Sequence, residues 1–389
     1  MWRPRLIACL LVCPPILLLI TLSINNILIY WNISRCIWPS LEPKGQNMIK
    51  VMFIADTHMK VKTFGNYLEN SLREFQMYSN FEFAINMLRP EIVFILGDVF
   101  DDGESVDDQT FQTLVNRHEK LFSRKYSSLL LFESTVYETY SKPKLTKYKT
   151  CSRIVGPDVR TVAGNHDIGF HYTMTKKLKS RFDVSFGTDS VKLIRINDIN
   201  FVTINSITLE GDYCMLCSDA ERKLKTIGSE LCSNSLQCSS QMGPIVLTHF
   251  PFFRLNDNHC GHDWDSMPES LKYEPFVQKW DCLSENATKL IIDSLKPRFV
   301  ITGHTHYGCV TRHTESLFEW TVSSFNYRNI QNPSLLLAKI SKTKYSVIKC
   351  ILINEWILYF VDFIIITTFS IISYKILFRK RFKYNYYLN

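Results

Sequence analysis

Apolar runs that stop abruptly on polar, ligand-capable residues recur along this chain. Residues 92–96, IVFIL, lead straight into Gly97-Asp98. An unbroken apolar run ending at a turn signal predicts a strand buried on both faces, delivering one carboxylate at its C-terminal end. Residues 49–55 predict a second such strand, ending in Asp56-Thr57-His58, and 159–163 a third, running into Gly164-Asn165-His166-Asp167. Residues 244–248 stop at His249, and 299–302 break at Gly303-His304-Thr305-His306. Helical spacing covers 67–88, ending before Pro90, then 107–122 behind a run of acidic residues, and 284–295 with Asn286 on its exposed face. Residues 192–196 and 200–205 predict a hairpin. Strands alternating with helices mean βαβ units, an α/β fold with parallel strands. Residues 124–157, rich in Ser, Tyr, Lys and Thr, have no clean period and are long for a βαβ connection. They read as a surface insertion.

Two longer apolar stretches lie outside this pattern. Residues 6–30 carry no charge, and 356–378 are interrupted only by Asp362 and Lys375. Both are long enough to cross a bilayer. No small-x-small cleavage site closely follows the first, so it predicts an uncleaved anchor, kinked at Pro14-Pro15, rather than a signal peptide. The charge distribution then gains meaning. The formal net charge is +8, and Arg3, Arg5, Arg379, Lys380, Arg381 and Lys383 at the termini supply six of it. The rest of the chain has no basic stripe to follow a nucleic-acid backbone, which excludes that class of partner. By the positive-inside rule, residues 1–5 and the basic tail 379–389 are cytosolic, and 36–350 form a lumenal or extracellular domain.

That side suits the glycosylation acceptors Asn286-Ala-Thr288 and Asn32-Ile-Ser34, and the twelve cysteines. Cys36 and Cys350 each stand just outside a span, and a bridge between them would clamp the two membrane ends together. Cys214-Met-Leu-Cys217 has spacing for a disulfide, a zinc site or a redox pair. With no matching second pair, a structural disulfide is the expected use.

One aspartate at a strand end is ordinarily a cap or a turn residue. Five polar strand ends in one domain are different, because buried Asp and His are rare unless paired or bound to metal. The pattern points to two divalent cations sharing an anionic ligand. Asp98 is placed to bridge them, with Asp56, His58 and His306 completing one metal and Asn165, His249 and His304 the other. Nitrogen and oxygen ligation without thiolate suits Mn, Fe or Zn. Asp101 and Asp102 read as caps of the next helix, with Asp101 alternatively touching a water near the ligands. His259, His262 and His313 read as solvated, while His171, close behind the NHD sequence, is the one placed to line a pocket. The many Tyr and Phe are assigned to the core and the membrane interface.

In order along the chain, DTH, GDVFDDG, GNHD, THFP and GHTH resemble the five signature blocks of the calcineurin-like metallophosphoesterase superfamily. NHDIGFHY, NSITLEGDYCMLC, SSFNYRNIQNPS and the flanking spans resemble its membrane-bound branch that trims GPI anchors. The resemblance covers 36–350 and both spans. It implies a four-layer αββα sandwich flanked by two transmembrane helices, and the seven ligands named above on a pair of manganese ions. It also implies His166 as general acid or transition-state stabiliser, oriented by Asp167. The implied reaction removes ethanolamine phosphate from the second mannose of GPI anchors. The substrate would be the GPI glycolipid of GPI-anchored proteins on their way from the ER to the Golgi. The implied setting is the early secretory pathway (ER exit sites, the ER-Golgi intermediate compartment and the Golgi), with the catalytic domain lumenal and cargo-receptor or coat contacts through the cytosolic tail. Two features depart from that branch: the 124–157 insertion, and a C-terminus reading Tyr386-Tyr387-Leu388-Asn389 in place of a lysine-based retrieval signal. The alternatives are a lumenal phosphoesterase acting on another lipid-linked or nucleotide phosphate, and a dead binding module on the same fold. The intact motif set argues against the latter.

Overall fold

Strand β1 (Ile49–Ile54) sets the architecture through its alternation. Val51 and Phe53 join one apolar cluster and Met52 and Ile54 another, so both faces of the strand are buried. The computed structural model describes residues 3–41, 48–122, 156–210, 214, 216–232 and 242–385, with backbone alone at 3–12 and 376–385. Ahead of β1 comes helix α1 (Arg3–Ile33). After it follow α2 (Tyr67–Leu88), β2 (Ile92–Leu96), α3 (Asp108–Phe122) and β3 (Asp158–Val162). A single turn, α4 (Asn165–Ile168), leads to α5 (Lys176–Phe186) and the antiparallel hairpin β4 (Val191–Ile196) and β5 (Ile199–Ile204). Then come α6 (Cys217–Leu231), β6 (Ile245–Thr248), α7 (Glu285–Leu295) and β7 (Phe299–Thr302). Strands β8 (Cys309–Arg312), β9 (Phe318–Thr321), β10 (Ser334–Ile340) and β11 (Tyr345–Ile351) precede the closing helix α8 (Glu355–Asn385).

The strands form two sheets, ordered β11-β10-β1-β2-β3 and β4-β5-β6-β7-β9-β8. Phe53, Phe94 and Leu96 of the first meet Phe201, Leu247 and Ile301 of the second in the central layer of the core. On the outer face of the first sheet, Met52, Val93 and Ile95 pack under α2 and α3. On the outer face of the second, Val202, Val246 and Val300 pack under α6 and α7. This is the four-layer αββα sandwich. The alternating pattern along the chain is legible as helices around a sheet, and the division into two sheets is added by the structure. Asp98 leaves β2 with ligand-bearing β1 and β3 on either side. It is one strand in from the sheet edge.

Several elements differ from the sequence reading. The cysteine-rich stretch is largely the amphipathic helix α6, whose Ala220, Leu224 and Leu231 face the core. Cys214 and Cys217 form a disulfide at its start. The strands β8 to β11 after the last motif, and α5, were not foreseen. The insertion 124–157 lies outside the described residues up to 155, as do residues 1–2 and 386–389.

α1 and α8 are long and apolar enough to cross a membrane, over Cys13–Ile33 and Glu355–Lys375. They pack on each other, and Asn25 Nδ2 donates to Asp362 Oδ2 at 3.3 Å, giving the acidic side chain in the middle of the second stretch a partner. The disulfide Cys36–Cys350 joins their inner ends, with Cα atoms 5.6 Å apart.

His118 of α3 is enclosed by Phe100, Phe122 and Phe186, and neither ring nitrogen has a hydrogen-bond partner among the described residues. Burial pushes it down to about 3. Below pH ~6.5 the unfolded chain takes up this proton while the folded chain does not, so stability falls as pH drops toward the folded value. From pH 7 to 5 the loss is about 2 kcal/mol. His118→Phe should flatten that part of the Tm-against-pH curve.

Candidate metal centre

Every predicted ligand stands at the same edge of the two sheets, just past the C-terminal end of its strand. Getting there bends the backbone. Asp56, His58, Asp98, His304 and His306 all have positive φ, between 40° and 75°. That left-handed region is uncommon for side-chain-bearing residues, and its clustering is typical of functional sites. Two glycines make room. Gly97, at φ 82°, allows His249 to lie against the β2 turn, and a Cβ at Gly164 would overlap the Asp98 carboxylate.

The side chains converge in two groups that share Asp98. In the first, His58 Nε2 lies 2.9 Å from His306 Nε2, 3.5 Å from Asp98 Oδ2 and 4.0 Å from Asp56 Oδ1. In the second, His249 Nε2 lies 3.3 Å from Asp98 Oδ2, 3.2 Å from Asn165 Oδ1 and 3.2 Å from His304 Nδ1. Asp98 Oδ2 therefore faces a histidine of each group, while Oδ1 accepts from the His166 backbone N–H at 2.9 Å. All seven predicted ligands are brought together.

The outward nitrogens explain why the inward ones are lone-pair donors. His249 Nδ1 donates to the Leu96 carbonyl at 2.7 Å, His304 Nε2 to the Trp280 carbonyl at 2.6 Å, and His58 Nδ1 to Asp101 Oδ1 at 3.0 Å. Such partners fix the tautomer and turn the other nitrogen toward a metal. Electrostatics agrees for His304 and His306, whereas His58 is raised, against its burial, by its Asp101 hydrogen bond and the Asp98 and Asp56 charges. Burial, with His249 and His58 as neighbours, pushes His304 and His306 down to about 3, so both remain neutral. Burial also works against charge on Asp98, but the surrounding histidines, His249 first, hold it well below the usual range. Asp56 is raised to about 7 by burial and by the like charge of Asp98. Against its burial, the Asp98 and Asp56 carboxylates raise His249 to about 9, and that same field favours any cation placed there. The donor set of carboxylate, imidazole and amide oxygen fits two divalent ions around Asp98.

His166 stands beside the ligands, its ring centroid 4.9 Å from that of His58. Its Nδ1 donates to the Asp101 carbonyl at 2.9 Å. This corrects the expectation for Asp167. That buried carboxylate accepts from the backbone N–H groups of Val99, Phe100 and Gly164, locking the GNHD turn onto the β2 loop and leaving the His166 ring to Asp101. Asp101 does not cap α3 either; Asp107 does, accepting from Thr110 N at 2.7 Å. Asp101 instead pairs with Lys60 at 2.9 Å as well as with His58. His171 packs edge-on against Tyr172 and is absent from the cavity wall. Ser324 and Asn326 were missed: their side chains donate to the Asp56 and Thr57 carbonyls, both at 2.7 Å, and hold the DTH turn. The SSFNYR stretch signalled likeness without showing this role.

A cavity of about 330 Å³ opens beside the second group, walled by Asn165, His166 and His304 on one side and by Phe170, Phe276 and Trp280 on the other.

The profile of the calcineurin-like phosphoesterase family matches residues 49–308. Among curated proteins, the chain is similar to Metallophosphoesterase 1 of Mus musculus, 34% identical over 340 residues, covering 83% of this chain and 78% of that protein. It is 35% identical to Metallophosphoesterase 1 of Gallus gallus, over 84% of this chain and 79% of that protein. A solved dimetal phosphatase from Danio rerio aligns with 78% of this chain and 99% of its own, at 12% identity and a TM-score of 0.43. Motifs, site and family profile agree: the chain belongs to the calcineurin-like phosphoesterases, metal-dependent hydrolases of phosphate esters.

Proposed function

We propose that this phosphoesterase removes ethanolamine phosphate from the second mannose of GPI anchors, in the lumen of the early secretory pathway, with a manganese pair. The observation that carries the reading is a shared-carboxylate metal centre in a domain whose two ends both lead into apolar helices. A domain tethered that way suits a substrate that itself stays in the bilayer. The aromatic wall of the cavity supports a glycan, because the C–H face of a pyranose packs on ring faces.

Asp56, His58, Asp98 and His306 would hold one ion, and Asp98, Asn165, His249 and His304 the other. When bound, such a pair polarises the phosphate and activates water for in-line attack. His166, held by Asp101 through Nδ1, presents Nε2 for the developing charge or for protonation of the sugar oxygen as it leaves. GPI-anchored proteins are the proposed partners, and contacts of the cytosolic tail with cargo receptors or coats belong to the same reading.

Structural analysis of GPI glycans from cells lacking the protein tests the substrate. Ethanolamine phosphate retained on the second mannose is the expected result, and an unchanged glycan removes the substrate while leaving the chemistry. Orientation has its own test. Asn286 is exposed at the second position of α7, so Asn286→Gln should lose one glycan-sized increment on gels. Wild-type protein that co-migrates with its own enzymatically deglycosylated form would overturn the use of Asn286 and remove this support for a lumenal domain.

A further inference from the structure

α2 lies across the inner ends of both apolar helices, and its height can be read from their pairing. The Asn25–Asp362 hydrogen bond registers α1 against α8, and the Cys36–Cys350 disulfide, beyond the end of α1 and before the start of α8, makes the pair antiparallel. At 1.5 Å per residue, Glu355, the first residue of α8, stands about 10 Å above that pair and Tyr30 about 7.5 Å above it. α2 touches both levels. Arg73 pairs with Glu355, and Phe83 packs edge-on against Tyr30 with centroids 5.6 Å apart. The two contacts lie about 15 Å apart along α2 but differ by only about 3 Å in height. α2 therefore runs close to perpendicular to the two helices, at the level where they end.

Continued past Arg73, the same line reaches Leu68 after about 7.5 Å, then the turn before the helix. Here three large apolar side chains stand in the open: Phe64 fully, Leu68 at 83% and Tyr67 at 56% exposure. A contiguous exposed group needs an explanation that scattered ones do not. Lys62 lies over the Tyr67 ring, 5.4 Å from its centroid, while its ammonium pairs with Glu74 at 2.8 Å, so the tip presents aromatic and aliphatic groups beside a neutralised lysine.

We propose that Phe64, Tyr67 and Leu68 insert into the headgroup layer of the bilayer that α1 and α8 span. The occupant is the lipid surface itself, continuous with the lipid around the two helices. This rests on reading both helices as spans and the site as acting on a membrane-held phosphate ester. Phe64 is six residues from His58, so the chain keeps the metal centre within about 20 Å of the tip.

The test uses the full chain in phosphatidylcholine nanodiscs containing a shallow spin-labelled lipid. A bimane probe at Phe64→Cys should be quenched several-fold more than one at Lys225→Cys, on the exposed face of α6 in the opposite layer. Equal quenching overturns the proposal, as does a cross-link from position 64 to a second copy or another protein. A second measurement separates docking from catalysis. The double substitution Phe64→Asp, Leu68→Asp should lower kcat/KM at least tenfold on a lipid-embedded glycan phosphodiester and leave hydrolysis of soluble bis(p-nitrophenyl) phosphate unchanged. Equal loss on both substrates makes the tip structural and overturns the idea. If the wild-type chain quenches as expected but leaves GPI glycans untouched in cells, the substrate reading fails and the membrane contact stands.

Discussion

Asp98→Asn should reduce turnover more than about 10³-fold and release both metals, a larger loss than the 10- to 100-fold expected from an outer partner. Asparagine separates the two duties of this side chain. Its amide oxygen can still accept from the His166 N–H, as Asp98 Oδ1 does at 2.9 Å, so the GNHD turn stays in place. Its amide nitrogen then occupies the position of Oδ2, between His58 Nε2 and His249 Nε2. An N–H₂ group there can neither ligate a cation nor offset its charge. Metal content by mass spectrometry should fall toward zero while secondary structure is retained. Two ions bound to an active Asp98→Asn protein would remove Asp98 from the bridging position.

The convergence of these seven side chains was legible because of where the residues lie. A strand buried on both faces shows as an unbroken apolar run, and the residue ending it is the one the fold can present at the sheet edge. Ile92 to Leu96 followed by Asp98 is readable in that way without any partner being known. The partition into sheets is not readable so. Ile92–Leu96 and Phe299–Thr302 carry the same signature, yet one lies in the first sheet and the other in the second. Short strands such as β8, with alternate residues exposed, and a helix begun by a cysteine, as α6 is, give weak or misleading patterns. The side chains that steer the ligands were the least legible. Asp101 acts through its carbonyl on His166 and through its carboxylate on His58, and nothing in a run of acidic residues separates that from a helix cap. The αL conformation at Asp56, His58, Asp98, His304 and His306 is likewise invisible in sequence, although Asp and His tolerate it better than branched residues.

His166→Ala should lower kcat by about 10²- to 10⁴-fold, the usual range for losing a proton donor in the transition state, with both metals still bound. Alanine keeps the backbone N–H that Asp98 Oδ1 accepts, and none of the hydrogen bonds that turn His58, His249 or His304 inward involves the His166 ring. Only the ring and its bond to the Asp101 carbonyl are lost. Metal content therefore distinguishes this variant from Asp98→Asn, and a metal-depleted His166→Ala protein would make the residue part of the ligand shell. The leaving group then separates the two roles that remain. If the ring donates a proton, a p-nitrophenolate ester, whose oxygen leaves without help, should lose far less rate than a sugar or alkyl ester. If the ring stabilises charge on phosphorus, both esters should slow by the same factor. The Asp101 bond makes donation the expected outcome. With Nδ1–H held on a carbonyl, a second proton on His166 must sit at Nε2, on the open side of the ring. Equal slowing of the two esters would leave His166 as a charge stabiliser and assign protonation of the sugar oxygen to water.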